Sequence, residues 1–79
     1  MKIKMKLYAS LAKYFPDKDF GEEKELSIPD NASIKDVLEK LGIPEKQAKI
    51  VLVNGIKKEI DHELTENDTL VLFPPIGGG

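Results

Sequence analysis

The chain has 79 residues, no cysteine, 12 basic and 14 acidic residues, and a net charge of −2. These values describe one small domain that must be held by its core, because no disulfide or thiolate-bound metal can brace it. They exclude a thiol nucleophile and give no basic stripe of the kind a nucleic-acid binder shows.

Residues 1–8 alternate, with Ile3, Met5 and Leu7 on one side and Lys2, Lys4 and Lys6 on the other. This predicts a half-buried strand, on which Tyr8 is the aromatic exception to a polar face. Residues 10–15 predict a short helix, with Leu11, Tyr14 and Phe15 at helical spacing and Ser10 as its cap. Pro16, Asp17 and Gly21 mark a loop. Residues 22–28 read as a second strand, in which Leu26 and Ile28 alternate with polar neighbours; its simplest partner is the first strand, as a hairpin. Pro29, Asp30 and Asn31 turn the chain. Ser33 followed by Asp36 forms a capping-box start, with Asp in place of the more usual Glu or Gln. Ile34, Val37, Leu38 and Leu41 then fall at i, i+3, i+4 and i+7, the stripe of an amphipathic helix. Gly42 ends it.

Residues 50–53 are a short apolar run bounded by Asn54-Gly55, the signal for a two-residue hairpin. Residues 56–60 predict the return strand, 63–68 a polar loop, and 69–73 the last strand. Pro74 and Pro75 stop strand pairing by removing donors. The expected fold is α+β, a mixed sheet of four to five strands packed on one main helix plus a short N-terminal helix. Residues 1–74 form the domain and 75–79 a glycine tail. The strands at 50–53 and 70–73 are apolar on both faces, and one helix covers only one face. Two readings of the second face are open. Either it meets a partner, or the short helix and the loops cover it.

The tail reads Phe73-Pro74-Pro75-Ile76-Gly77-Gly78-Gly79. A terminal glycine run is a frayed end, or a strip of bare backbone that enters a narrow channel. Fully extended, residues 75–79 reach roughly 17 Å. Pro74 and Pro75 stiffen the exit, so the tail projects from the sheet.

The order of elements, the Val53-Asn54-Gly55 turn, the Glu66-Asn67-Asp68 loop and the ending from Leu72 to Gly79 resemble a MoaD-type sulfur carrier. That family is the small subunit of molybdopterin synthase, within the ubiquitin-like MoaD/ThiS β-grasp superfamily. The resemblance covers the whole chain. The segment Leu7-Tyr8-Ala9-Ser10-Leu11-Ala12 is similar to the first strand and short helix of the molybdopterin branch, where ThiS-type carriers of thiamin synthesis are shorter. The family ends in two glycines after a small or variable residue, whereas here Gly77 makes a third.

The resemblance implies a β-grasp fold and a chemistry centred on the Gly79 carboxylate. A ubiquitin-activating-like adenylyltransferase (MoeB-type) would use ATP to form the acyl-adenylate, and a sulfur donor protein would convert it to a thiocarboxylate. That sulfur would pass to a pterin precursor in the large synthase subunit (MoaE-type). The chain would be a non-catalytic carrier that binds no cofactor or metal of its own. Pro75, Ile76, Gly77 and Gly78 would thread the partner's channel. In the superfamily the first and last strands are neighbours, which would bring Phe73 close to Tyr8. Tyr8, Phe73 and Pro74 would then contribute to the docking surface, with a core position for Phe73 as the alternative. Other sulfur acceptors stay open: tungsten cofactor, thiamin or transfer-RNA thiolation. So do a ubiquitin-like protein modifier and a plain interaction module with an unreactive tail.

The remaining candidates are weaker. His62, the only histidine, has no partners at a recognisable metal or catalytic spacing. Glu22, Glu23 and Glu25 read as a solvated strand edge ahead of a docking patch. All basic residues are lysine, so the bidentate arginine fork is absent. No glycine loop precedes a helix to cradle phosphate. No apolar run reaches the ~18 residues of a membrane span, and a cytoplasmic protein is expected.

Overall fold

The computed structural model describes residues 1–15 and 23–75. The expected loop residues Pro16, Asp17 and Gly21, the expected strand residue Glu22, and the tail residues Ile76, Gly77, Gly78 and Gly79 lie outside the described residues. Among the described residues, five strands form one mixed sheet: β1 (Lys2–Leu7), β2 (Lys24–Ser27), β3 (Ile50–Val53), β4 (Ile56–Lys57) and β5 (Thr69–Phe73). Their spatial order is β2-β1-β5-β3-β4. The central pair, β1 and β5, is parallel, and every other pairing is antiparallel. One helix, α1 (Ile34–Leu41), packs on the sheet, giving the expected ubiquitin-like β-grasp arrangement.

Alternation decides which face each strand buries. Ile3, Met5 and Leu7 of β1, Leu70 and Leu72 of β5, and Val51 and Val53 of β3 all point into the core. They meet Ile34, Val37 and Leu38 of α1, which are fully buried, while Leu41 packs at the margin. Each such aliphatic side chain contributes about 1.5–3 kcal/mol by leaving water. The domain therefore needs no covalent brace.

The start of α1 carries the predicted capping box. The Asp36 amide donates to the Ser33 hydroxyl at 3.2 Å, and the Ser33 amide donates to the Asp36 carboxylate at 2.9 Å. The next two free donors find tertiary partners: Ile34 N–H bonds the His62 carbonyl at 3.0 Å and Lys35 N–H the Ile60 carbonyl at 2.8 Å. All four amides that a helix start leaves open are satisfied. Gly42 closes the other end in the left-handed conformation, φ 75°.

Those tertiary caps explain why β4 is shorter than the 56–60 strand expected from sequence. After Lys57 the chain leaves the ladder and carries the Ile60 and His62 carbonyls to the helix start. The second strand is likewise described only over Lys24–Ser27. The expected short helix exists, but as a 3₁₀ helix over Ala9–Tyr14. Its N-cap is Tyr8, with no side-chain cap bond, and Ser10 lies inside it rather than capping it. Leu11, Ala12 and Phe15 give it a buried side. A second 3₁₀ turn, Glu45–Gln47, falls in a stretch that carries no periodic signal.

Candidate functional site

The face of the sheet opposite α1 is where the sequence reading leaves an uncovered apolar surface. Pairing registers define its rows. Lys4 stands beside Thr69 and opposite Glu25. The next row runs Lys6, Val71, Leu52, Lys57 across four strands. The last pairs Phe73 with Ile50. Val71, Leu52, Ile50 and Phe73 are all half-buried, in contrast to the fully buried residues on the helix side. The result is an aliphatic and aromatic strip with a lysine at each end of its middle row. No ion pair engages Lys4, Lys6 or Lys57 among the described residues.

Tyr8 completes this strip. Its ring stacks on Phe73, with centroids 4.7 Å apart and planes 9° from parallel. The backbone holds both partners. Tyr8 N–H donates to the Leu72 carbonyl at 3.2 Å, and Lys49 N–H donates to the Phe73 carbonyl at 2.9 Å. Ala9 follows Tyr8 in a left-handed conformation, φ 52°, which costs an L-residue about 1–2 kcal/mol. The left-handed turn at Ala9 takes the chain off the line of β1 directly after Tyr8. Phe73 is not a core residue: it stays outside the buried cluster, on the open face. Tyr8 is 39% exposed, so the stack leaves much of its ring to solvent. Pro74 is half-buried and Pro75 is exposed.

The far end of β5 is pinned by the Asn54-Gly55 turn and the 65–68 loop. Both turn residues take positive φ, 53° and 83°, as a tight two-residue hairpin requires. The Asn54 amide nitrogen donates to Asp68 at 2.9 Å, while its oxygen accepts from Thr69 N–H at 3.0 Å. Asp68 also accepts from the Thr65 amide at 2.8 Å and the Thr65 hydroxyl at 3.0 Å. Burial pushes the Asp68 carboxyl up, but these hydrogen bonds and the charge of nearby His62 together hold it below the ordinary carboxylate value. Asp68 is only 8% exposed and fully partnered, which marks a structural corner, not a reactive acid.

Elsewhere the surface offers less. No group of three or more potential ligands stands together to hold a metal ion among the described residues. A groove of about 480 Å³ beside α1, lined by Ile28, Ala32, Asp36, Val37 and Lys40, includes neither Tyr8 nor Phe73. No described helix is long and apolar enough to cross a membrane.

The model of the Mut7-C ubiquitin family matches residues 1–76. The chain belongs to that family. No curated protein matches it. Among solved structures it is similar to the small archaeal modifier protein 1 of Haloferax volcanii, at 24% identity over 95% of this chain and 98% of that one, TM-score 0.69. A putative molybdopterin converting factor subunit 1 from Pyrococcus furiosus is 24% identical over 96% and 99%, TM-score 0.69. The complex of subunits 1 and 2 of molybdopterin-converting factor from Helicobacter pylori matches at 18% identity over 100% of both chains, TM-score 0.59. These likenesses bear out the ubiquitin-like fold expected from the sequence.

In this Mut7-C ubiquitin chain, the structure brings Tyr8, Phe73 and Pro74 to one end of the open face. Sequence reasoning singled out those three and missed Ile50, Leu52 and Val71 as members of the same strip. The signal was available in the double-sided apolar character of the two strands. Lys6 is legible from sequence only as a polar-face residue and Lys57 is not singled out, because nothing local says they flank the same row.

Proposed function

We propose that this chain is a sulfur carrier that works through its C-terminal carboxylate and docks its partners through the Tyr8–Phe73 face. The observation that carries the reading is the position of that apolar strip at the point where β5 ends and the chain turns into Pro74, Pro75 and the glycine tail. A partner held by the strip has the Gly79 carboxylate within a tail's length of the contact. The likeness to molybdopterin converting factor subunit 1 supports the same reading.

A carboxylate resists nucleophiles because its charge and resonance repel them. A partner adenylyltransferase of the ubiquitin-activating type removes both obstacles: a Gly79 carboxylate oxygen attacks the α-phosphorus of ATP and pyrophosphate leaves. A persulfide on a donor protein then adds through its outer sulfur to the acyl carbon and AMP leaves. A thiol attacks the donor's sulfur in the resulting acyl disulfide, a disulfide departs with the donor, and the terminus is left as a thiocarboxylate. The sulfur passes to a pterin precursor in a large subunit of molybdopterin synthase, for which this chain is the small subunit. The Helicobacter pylori complex of the two subunits supports a partner of that kind. The chain contributes a reactive terminus and a docking face, and its partners contribute the catalytic groups. Glycine in the tail admits channel walls that any Cβ would block.

A second reading is protein modification, in which a lysine amine takes the place of sulfur and an isopeptide bond forms. The likeness to small archaeal modifier protein 1 favours it. One experiment separates the two. The chain is incubated with its adenylyltransferase, ATP and a sulfur donor, then weighed intact. A gain of about 16 Da, one oxygen replaced by sulfur, is the carrier outcome. Conjugates of higher mass in extract, without that gain, mean a modifier. No ATP-dependent change with the cognate activating enzyme sinks both.

A further inference from the structure

The Asn54-Gly55 turn is at once a structural keystone and the most chemically fragile dipeptide in the chain. Of the three asparagines, Asn31 precedes alanine, Asn67 precedes aspartate, and only Asn54 precedes glycine. A glycine leaves its backbone nitrogen unshielded, because it has no Cβ to block approach. That nitrogen can attack the asparagine side-chain carbon directly. We propose that Asn54 is a covalent modification site: it deamidates when the corner it forms with Asp68 opens, and the product cannot rebuild that corner. This inference is independent of the sulfur chemistry above.

The reaction balances within the chain plus water. The Gly55 nitrogen loses its proton and bonds to Asn54 Cγ. The Cγ–Nδ2 bond breaks, and ammonia leaves with the proton. The resulting succinimide takes up one water and opens to aspartate or to isoaspartate. No cofactor, oxidant or enzyme is needed.

The native fold holds this step back. Closure requires the Asn54 carboxamide to swing onto its neighbour's nitrogen. In the structure the carboxamide is tied at both ends, by its donation to Asp68 at 2.9 Å and by its acceptance from Thr69 N–H at 3.0 Å. Both bonds must break first. Local opening of a turn is far more frequent than global unfolding, so the gate is the corner itself.

The product is incompatible with the corner. An aspartate at 54, itself an exposed position, replaces the donor facing the 8%-exposed Asp68 with a second carboxylate. A hydrogen bond becomes a like-charge contact against a buried carboxylate. Isoaspartate adds a backbone methylene to a two-residue turn, whose angles set the register of β3 against β4. Asp68 in turn loses one of its three partners. Each conversion is irreversible without a repair enzyme, so the turn sets an intrinsic lifetime for the folded domain.

The test uses the full chain, aged at mildly alkaline pH in buffer and in urea, with peptide mapping to locate the new acid. Expected is conversion at Asn54 ahead of Asn31 and Asn67, slower by about 10-fold or more in the folded protein than in urea. The Asn54→Asp variant, made directly, should unfold at clearly lower denaturant concentration. Equal rates folded and unfolded, or prior conversion at Asn31 or Asn67, overturn the gating. An Asn54→Asp chain with an unchanged unfolding midpoint overturns the claim that the product breaks the corner. Should that variant not fold at all, the folded-versus-urea rate ratio of the natural chain still decides the gating.

Discussion

Tyr8 and Phe73 are 65 positions apart in the chain and stack at 4.7 Å, nearly parallel. The contact exists because β1 and β5 run parallel as central neighbours, with Leu7 in register with Leu72. The next residue of each strand therefore arrives at the same edge, where the tail begins. The fold thus brings an aromatic pair from the two halves of the sequence to the end of β5.

Truncating this pair should separate binding from folding. Both rings are partly exposed, so Phe73→Ala or Tyr8→Ala should cost stability only about 1 kcal/mol, the scale of the lost stack. Affinity for the activating partner should fall by 10-fold or more, as for a buried aromatic anchor, ~1.4 kcal/mol or above. Calorimetric titration alongside thermal melts checks both. Unchanged affinity would remove the open face from the docking surface.

The lysines at the ends of the middle row should act on the rate of encounter. Lys6→Glu with Lys57→Glu reverses both charges without touching the apolar strip. Association with an acidic-rimmed partner should slow by about 10-fold at low salt, and the difference should shrink as salt screens it. Stopped-flow kinetics across a salt series measures this, and equal slopes for both proteins would mean the partner does not read these charges.

Ala9→Gly should stabilise the domain. The left-handed φ of 52° penalises alanine but not glycine, although glycine gives back part of the gain through its freer unfolded chain. A net gain of up to about 1 kcal/mol is expected in denaturant unfolding. A loss instead of a gain would show that the Ala9 methyl packs usefully.

Asp68 predicts the acid limb of stability. Its carboxyl is held below the ordinary value, so its ionised form is favoured in the folded state. Such a group contributes fully above the unfolded value of about 3.9 and loses that contribution as pH falls through the lower folded value. Stability should therefore drop on acidification below about pH 4. Asp68→Asn, which cannot ionise, should flatten that limb while lowering stability at neutral pH by about 1–3 kcal/mol. Unfolding titrations of both proteins at several pH values provide the comparison.

Local signals determined the parts of this protein whose cause is local. The Ser33–Asp36 box, the stripe of Ile34, Val37, Leu38 and Leu41, and the stop at Gly42 delimit α1 because helix geometry is set within a few residues. Alternation revealed which side of β1 is buried, and Asn54-Gly55 located the hairpin. Only the tertiary structure decided the rest. That β4 stops at Lys57 depends on the distant helix start that needs the Ile60 and His62 carbonyls. That Asp68 is a keystone depends on Asn54 arriving from the distant β3–β4 turn. The half-apolar strip on the open face depends on strand order, since Lys6, Val71, Leu52 and Lys57 share a row only when four strands are in register. Register is a long-range quantity, satisfied by the packing of the whole sheet on one helix, and no window of sequence contains it.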